Sequence, residues 1–435
     1  MTLQQTSLLC NSNFELSNKG GQLSSDAGLV LVKEFMEKIQ FEDLLNTHVQ
    51  FEDARKYHKF TQNNLFQQLL FQLIAGYRND SATEILGNDP LFSQLLQATA
   101  SQPTLSRFIN SKQIQDNDMV HNLVERLAQL LIEEKNQQNM IIDGDSTHSD
   151  TFGKQESSAY NGHYNENGFH PLVFFESTTG VLLGAQLRPG NVYTSYQSEI
   201  WLERILKPYV AQGKNCLFRG DSGFAKPEIY DLCDKQGVKF VVRLKANPKL
   251  KKLAEGLVLY GDKTDITSEE VQWFSVKEYQ PNTWNRPYRV VIKATRPAGE
   301  LLFKHEFLVT NLEELSEKQI FPMYQKRGTM ENFIKEAKHG FFFDKTDSSN
   351  FQANHFRMLL SSVAYNIIQL MKHLVFPETE RSLTVSTIRF RFFRVAAKFV
   401  SHARKIQIQL SSSHVFQEIF WKILKNIHRL KLFSS

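Results

Sequence analysis

The stretch MIIDGDSTHSD at residues 140–150 decides how the rest of the chain is read. Upstream, apolar residues recur at helical spacing; from Asn139 onward they come in short runs bounded by turn residues. The stretch therefore marks where helix gives way to sheet, and it ends its apolar run in two acids. Asp143 and Asp145 stand two residues apart, so strand alternation points both to one face. A strand-end aspartate suits a carboxylate nucleophile, and it equally suits a ligand for a divalent cation. The stretch alone leaves both chemistries open.

Working upstream, amphipathic segments around Leu29–Leu45, Phe60–Arg78 and Ile114–Asn136 predict a helical N-terminal region. Within it TLSRFINSK opens at the capping residue Thr104 and carries Arg107, either as a DNA-reading unit or as packing. Working downstream, PLVFFES and VLLGAQLRPG, joined by a tight Thr-Thr-Gly connection, predict two more strands meandering from the first. A helix over about 197–212, a strand NCLFRGD, a helix begun by Pro227 and a strand VKFVVRLKAN follow. Three further β-like segments then interrupt this alternation before helix resumes near Ser316.

This order predicts an α/β fold: a ribonuclease-H-like mixed sheet flanked by helices, interrupted by a β-rich insertion, with helical N- and C-terminal regions. The expected parts are 1–138 (helical, DNA-binding), 139–247 (first part of the core), 248–312 (insertion), 313–375 (remaining core helices) and 376–435 (basic and helical). In such a sheet the first and fourth strands lie side by side, so Asp145 and Asp221, in FRGDSGF, reach the same edge.

The net charge of +5 is unevenly distributed. From Arg381 onward eleven Lys and Arg stand against one acid, Glu418, so the remainder is net acidic. Such a segment suits a polyanion, although a solvated cationic surface reads the same way. The three cysteines show no metal or disulfide spacing and are expected to be reduced and buried. No apolar run is long enough to span a membrane, and the reading is of a cytoplasmic protein.

A third carboxylate is offered by PMYQKRGTMENFIKEAKHG, where Tyr324, Arg327, Glu331 and Lys338 stand at offsets 0, 3, 7 and 14. On an uninterrupted helix these fall in one stripe rising about 21 Å, with Glu336 on another face. An i, i+4 salt-bridge stripe is the plain alternative.

The spacing Y-x2-R-x3-E-x6-K, preceded by strand-end aspartates, resembles the DDE transposases of bacterial insertion sequences, in the subgroup with a β insertion and a Y-R-E-K signature. DST selects Asp145 over Asp143, and D-x-G-F selects Asp221; YNGHYNENGFHPLVFFE, FVVRLKAN, TWNRPYRVV and TLSRF also look like this family. Ile109 in TLSRFIN departs from an expected acid, outside the core. The resemblance covers roughly residues 20–375.

It implies cut-and-paste movement of an insertion sequence, with Asp145, Asp221 and Glu331 holding two Mg²⁺ ions, Mn²⁺ substituting. It further implies DNA contacts through Tyr324, Arg327 and Lys338, and base stacking by Trp284 as an alternative to its burial in the insertion core. Arg243 and Lys245, at the end of the fifth strand, are placed to face the substrate strand. The implied partners are double-stranded DNA, both terminal inverted repeats and target, and a second copy of the chain in a synaptic complex in a bacterial nucleoid.

Two rivals from other classes stand beside this reading. A phosphatase would take Asp143 as its nucleophile, but it needs a long helical crossover after the first strand and an acid at position 225, which is alanine. A DNA-binding relic without catalysis would share every motif. GDSG at 220–223 mimics a serine-protease stretch but lacks the rest of that frame.

Overall fold

The computed structural model describes residues 5–53, 55–96, 98–259, 267–403 and 405–432. The chain divides into two compact units. One comprises residues 1–123, 336–343 and 356–435; the other comprises residues 124–335 and 344–355.

The second unit is built on an eight-stranded sheet. Its strands are β1 (Asn139–Ser146), β2 (Leu172–Glu176), β3 (Leu182–Gln186), β4 (Asn215–Gly220), β5 (Lys239–Leu244), β6 (Glu270–Tyr279), β7 (Tyr288–Arg296) and β8 (Lys304–Thr310). Their spatial order is β6-β7-β8-β5-β4-β1-β2-β3. β1, β4 and β5 run parallel, while β2 and β3 form the antiparallel meander expected from the Thr-Thr-Gly turn. Parallel neighbours need crossovers, and the helices Ser198–Ala211 (α2) and Pro227–Lys235 (α3) supply them. The long helix α1 (Ile114–Glu134) precedes the sheet.

The β-rich insertion does not make a body of its own. β8 pairs antiparallel with β5, β7 with β8 and β6 with β7, so the insertion widens the core sheet. The physical reason is the open edge of β5: its unpaired backbone groups are satisfied by β8, the last strand of the insertion, and β7 and β6 extend the sheet outward from it. The helix Glu317–Gln325 (α4) then packs on this added sheet, Ile320 and Phe321 closing over Val241, Val291 and Leu308.

After α4 the chain tightens into a 3₁₀ turn over Lys326–Gly328 before Thr329–Phe341 (α5). The expectation of one uninterrupted helix is corrected here. Three residues wound at about 120° instead of about 100° rotate everything beyond them by about 60°. This rotation carries Glu331 from about −20° to about +40° relative to Tyr324, so the turn shifts it across the stripe and leaves it on the same side of the helix. A final long helix, Phe351–Leu374 (α6), follows.

The first unit is mainly helical, with helices Val30–Lys38, Phe41–His48, Gln62–Ala75, Gln102–Asn110 and Gln417–Arg429. Alongside the expected helices, the C-terminal region carries a β-hairpin, Ala397–His402 with Lys405–Leu410, that pairs with Leu23–Ser24. Part of the basic C-terminal charge is structural. Arg389 is buried and donates to the carbonyls of Leu73, Ile74 and Gly340, acceptors in the last turns of helices, where a cation is favoured. Arg391 pairs with Glu380 at 3.1 Å. Cys216 and Cys233 are buried as expected, whereas Cys10 is exposed. No helix among the described residues is long and apolar enough to cross a membrane.

Candidate active site

The site forms where β1 and β4 end. Gly144 lies opposite Gly220 in their parallel register, and each glycine is followed by an aspartate, Asp145 and Asp221. The glycines are there because Phe224 packs over the pair. A Cβ on Gly220 would lie 2.8 Å from the Phe224 Cβ, and one on Gly144 would lie 3.0 Å from the Phe224 and Phe218 rings. Asp221 caps the 3₁₀ turn Ser222–Phe224, accepting from the Gly223 amide at 2.9 Å. Asp145 accepts from the Ser146 amide at 2.8 Å.

Asp145 also receives Arg327, whose Nη1 lies 3.0 Å from its Oδ2. Burial holds the Asp145 carboxyl above its ordinary value; the Arg327 charge opposes this and the Asp221 charge adds to it. The Tyr324 hydroxyl is raised by burial and lowered by Arg327 and Arg243, with Asp221 acting on it as well. Asp145, Asp221, Tyr324, Arg327 and Arg243 thus share one electrostatic neighbourhood. Arg243 itself pairs loosely with Glu306, at 3.4 Å, and Lys245 is exposed just beyond β5.

Glu331 is exposed in the first turn of α5. Among the described residues the tight group of three metal-ligand side chains is His148, Asp150 and Glu166, not the Asp145, Asp221 and Glu331 set. Glu336, the rival acid, accepts from the Val385 amide at 2.5 Å within the first unit. Lys338 and Arg107 also belong to that first unit; Arg107 is exposed and lines an open cavity with Arg55, Gln62 and Lys112. Trp284 is 8% exposed and meets Tyr230, Tyr279 and Tyr288 edge to face, so the structure places it in a packed aromatic cluster rather than on a free stacking surface.

Asp143 is fully buried, and both its oxygens are taken by Arg219 of β4, at 2.7 Å each. Arg219 also donates to the Ser177 hydroxyl at 2.7 Å and to the carbonyl of Met323 at 2.5 Å. Asp143 is therefore a strut tying β1, β4 and α4 together, and no attacking oxygen is free on it. This removes the basis of the phosphatase reading. Arg219 was not legible as a functional residue, since its register opposite Asp143 exists only once β1 and β4 pair.

Two other contributors were also missed. Arg188 is buried and donates to the carbonyls of His170, Thr194 and Tyr196, fixing a loop whose Thr194 hydroxyl meets that of Ser146 at 2.8 Å. Tyr164 has its hydroxyl raised by burial and by the charges of Asp145 and Asp221. His170 makes a loop hydrogen bond with the Val192 carbonyl at 2.9 Å, and burial lowers its pKa to about 4.

The fold is ribonuclease-H-like, with an antiparallel 3-2-1 meander continued by parallel strands 4 and 5 and its paired aspartates at the ends of the first and fourth strands. The chain belongs to the transposase DDE family: the sequence model described as Transposase DDE domain group 1 matches residues 6–432. No curated protein matches the chain. Among solved structures it is similar to the piggyBac transposase synaptic complex with hairpin DNA, at 10% identity and a TM-score of 0.49, covering 85% of this chain and 80% of that one. It is also similar to the Mos1 mariner paired-end complex with Mn, at 13% identity and a TM-score of 0.18, covering 52% and 72%. The Mos1 paired-end complex with the left transposon end gives 14% identity, a TM-score of 0.17 and coverage of 44% and 61%.

Proposed function

We propose that the protein cuts and rejoins DNA at the ends of its own element, with Asp145, Asp221 and Glu331 as the carboxylates that hold divalent cations. The observation that carries the reading is the convergence of Asp145, Asp221 and Arg327 on one sheet edge, from elements up to 182 residues apart. Two anionic oxygens on rigid strand ends, with an all-oxygen donor set, fit Mg²⁺, and Mn²⁺ would substitute. When bound, the ion supplies Lewis-acid stabilisation of the phosphoryl oxygens and lowers the pKa of an attacking water.

The chain's own groups do the rest. Asp145 and Asp221 present their oxygens from the sheet, and Glu331 adds a third donor from the first turn of α5. Arg327, Tyr324 and Arg243 direct donors and positive charge to the same place, where non-bridging phosphate oxygens would lie. In the first step a water oxygen bonds to phosphorus as the bond to the 3′ oxygen breaks, a water proton ending on the released 3′ oxygen. The freed 3′-hydroxyl then bonds to a target phosphorus as that phosphorus loses its bond to its own 3′ oxygen, which leaves as a target 3′-hydroxyl carrying the proton. Lys338, Lys245, Arg107 and the exposed cations of the C-terminal region contact duplex phosphates, giving salt-dependent affinity. Pairing of two element ends requires a second copy of the chain.

The test is cleavage of DNA bearing the element's ends, with Mg²⁺ or Mn²⁺, by the wild type and by Asp145→Ala, Asp221→Ala and Glu331→Ala. Each variant is expected to bind DNA and to lose cleavage. Undiminished cleavage by any one removes that residue from the set. A wild type that binds the ends but cuts with neither ion identifies a DNA-binding relic.

A further inference from the structure

We propose that His148, Asp150 and Glu166 form a second cation site, of the type that takes a transition metal such as Zn²⁺, Mn²⁺ or Co²⁺. Three observations carry this. The ligand atoms of these side chains all lie within 4.8 Å of one another. Both carboxylates converge on the same imidazole nitrogen, His148 Nε2, with Asp150 Oδ1 at 3.2 Å and Glu166 Oε2 at 3.9 Å. One ring nitrogen carries at most one proton, and two anionic oxygens aimed at it make a donor set that a single N–H serves poorly and a cation serves well.

The imidazole is also held in place. It is almost wholly buried, its ring lies 4.8 Å from that of Tyr164, and a Cβ on Gly168 would come within 2.4 Å of its Cε1. Glycine at 168 is what lets the ring sit there.

The two carboxylates belong to two strands of a small three-stranded sheet, and His148 immediately precedes the first of them. Asp150 lies in Ser149–Asp150 and Glu166 in Glu166–Phe169, which pair antiparallel. A bound ion would staple these strands together and hold the His148 ring against Tyr164, which sits in the turn just before Glu166. Tyr164 is the link to the Asp145 and Asp221 edge, since those charges act on its hydroxyl. One imidazole with two carboxylates selects borderline transition metals over Mg²⁺, which prefers oxygen alone. The site would organise the neighbourhood of the catalytic carboxylates without contributing to their donor set, and it does not depend on the catalytic reading.

The test uses the full chain and Co²⁺, followed by visible absorbance and by calorimetry. The Asp145→Ala/Asp221→Ala variant removes the all-oxygen site and is expected to retain one Co²⁺ with a nitrogen-ligand spectrum. His148→Gln, and separately Asp150→Asn/Glu166→Gln, are expected to weaken that ion by more than the about 10- to 100-fold that losing a supporting partner costs. The carboxylate pair is exposed, so its amide variant keeps the test open if His148→Gln does not fold. Co²⁺ binding that vanishes with Asp145 and Asp221, or that survives both other variants, overturns the proposal and leaves an imidazole–carboxylate ion pair only.

Discussion

Removing one partner of the Asp143–Arg219 pair leaves a charge in a place with no water. Both side chains are at most 1% exposed, and the two contacts are bidentate at 2.7 Å. In Asp143→Ala the guanidinium keeps the neutral acceptors Ser177 and Met323 but loses its counter-charge. Breaking a buried pair in this way costs about 3–5 kcal/mol. At about 2–4 °C per kcal/mol for a body of this size, the melting temperature should fall by roughly 10 °C. Arg219→Met should cost a similar amount, because the carboxylate is then the stranded charge. The double variant Asp143→Ala/Arg219→Met strands neither and should be more stable than the sum of the singles implies. Urea unfolding followed by tryptophan fluorescence gives the three free energies and hence the coupling. Single variants that each lose less than about 1 kcal/mol, or a double that is simply additive, would refute the strut. Because Arg219 also holds the carbonyl of Met323, one residue before Tyr324, Arg219→Met should also reduce DNA cleavage at temperatures where it remains folded.

Trp284→Ala should cost about 3–5 kcal/mol by emptying the tyrosine cluster, read by the same unfolding; unchanged stability with lost DNA affinity would instead favour a stacking role. Gly220→Ala should cost about 1–3 kcal/mol, since the new methyl meets the Phe224 Cβ, and a neutral result in thermal unfolding would contradict the packing described. Lys112 is 2% exposed, with its ammonium 3.9 Å from the Phe51 ring centroid and 4.1 Å from that of Phe108; burial lowers its pKa from 10.5 to about 8. Between these two values the unfolded chain binds more protons than the folded one, so stability should rise as pH rises from about 8 towards 10.5. Denaturation across that window should show the rise in the wild type and lose it in Lys112→Met.

Local patterning carried much of the reading. Short apolar runs, the turn at Thr-Thr-Gly and the helix-starting Pro227 are properties of neighbouring residues, so β1 to β5 and their crossovers were legible, as was the adjacency of β1 and β4 that topology rules impose. The 3₁₀ turn inside the Tyr324 to Lys338 segment was not legible, because offsets in the chain assume a uniform helix. Whether three residues wind as α or 3₁₀ depends on what their side chains reach, and Arg327 reaches Asp145.

What the sequence by itself determined is the order of elements and the identity of the acids at strand ends, because periodicity and strand termination are local. Only the tertiary structure decided which acid has which job. Asp143 and Asp145 sit two residues apart on the same face of one strand, yet the first is opposite Arg219 and sealed in the sheet while the second lies at its open edge. Charge pairing and desolvation depend on the neighbouring strand, and that neighbour is 76 residues away in the chain.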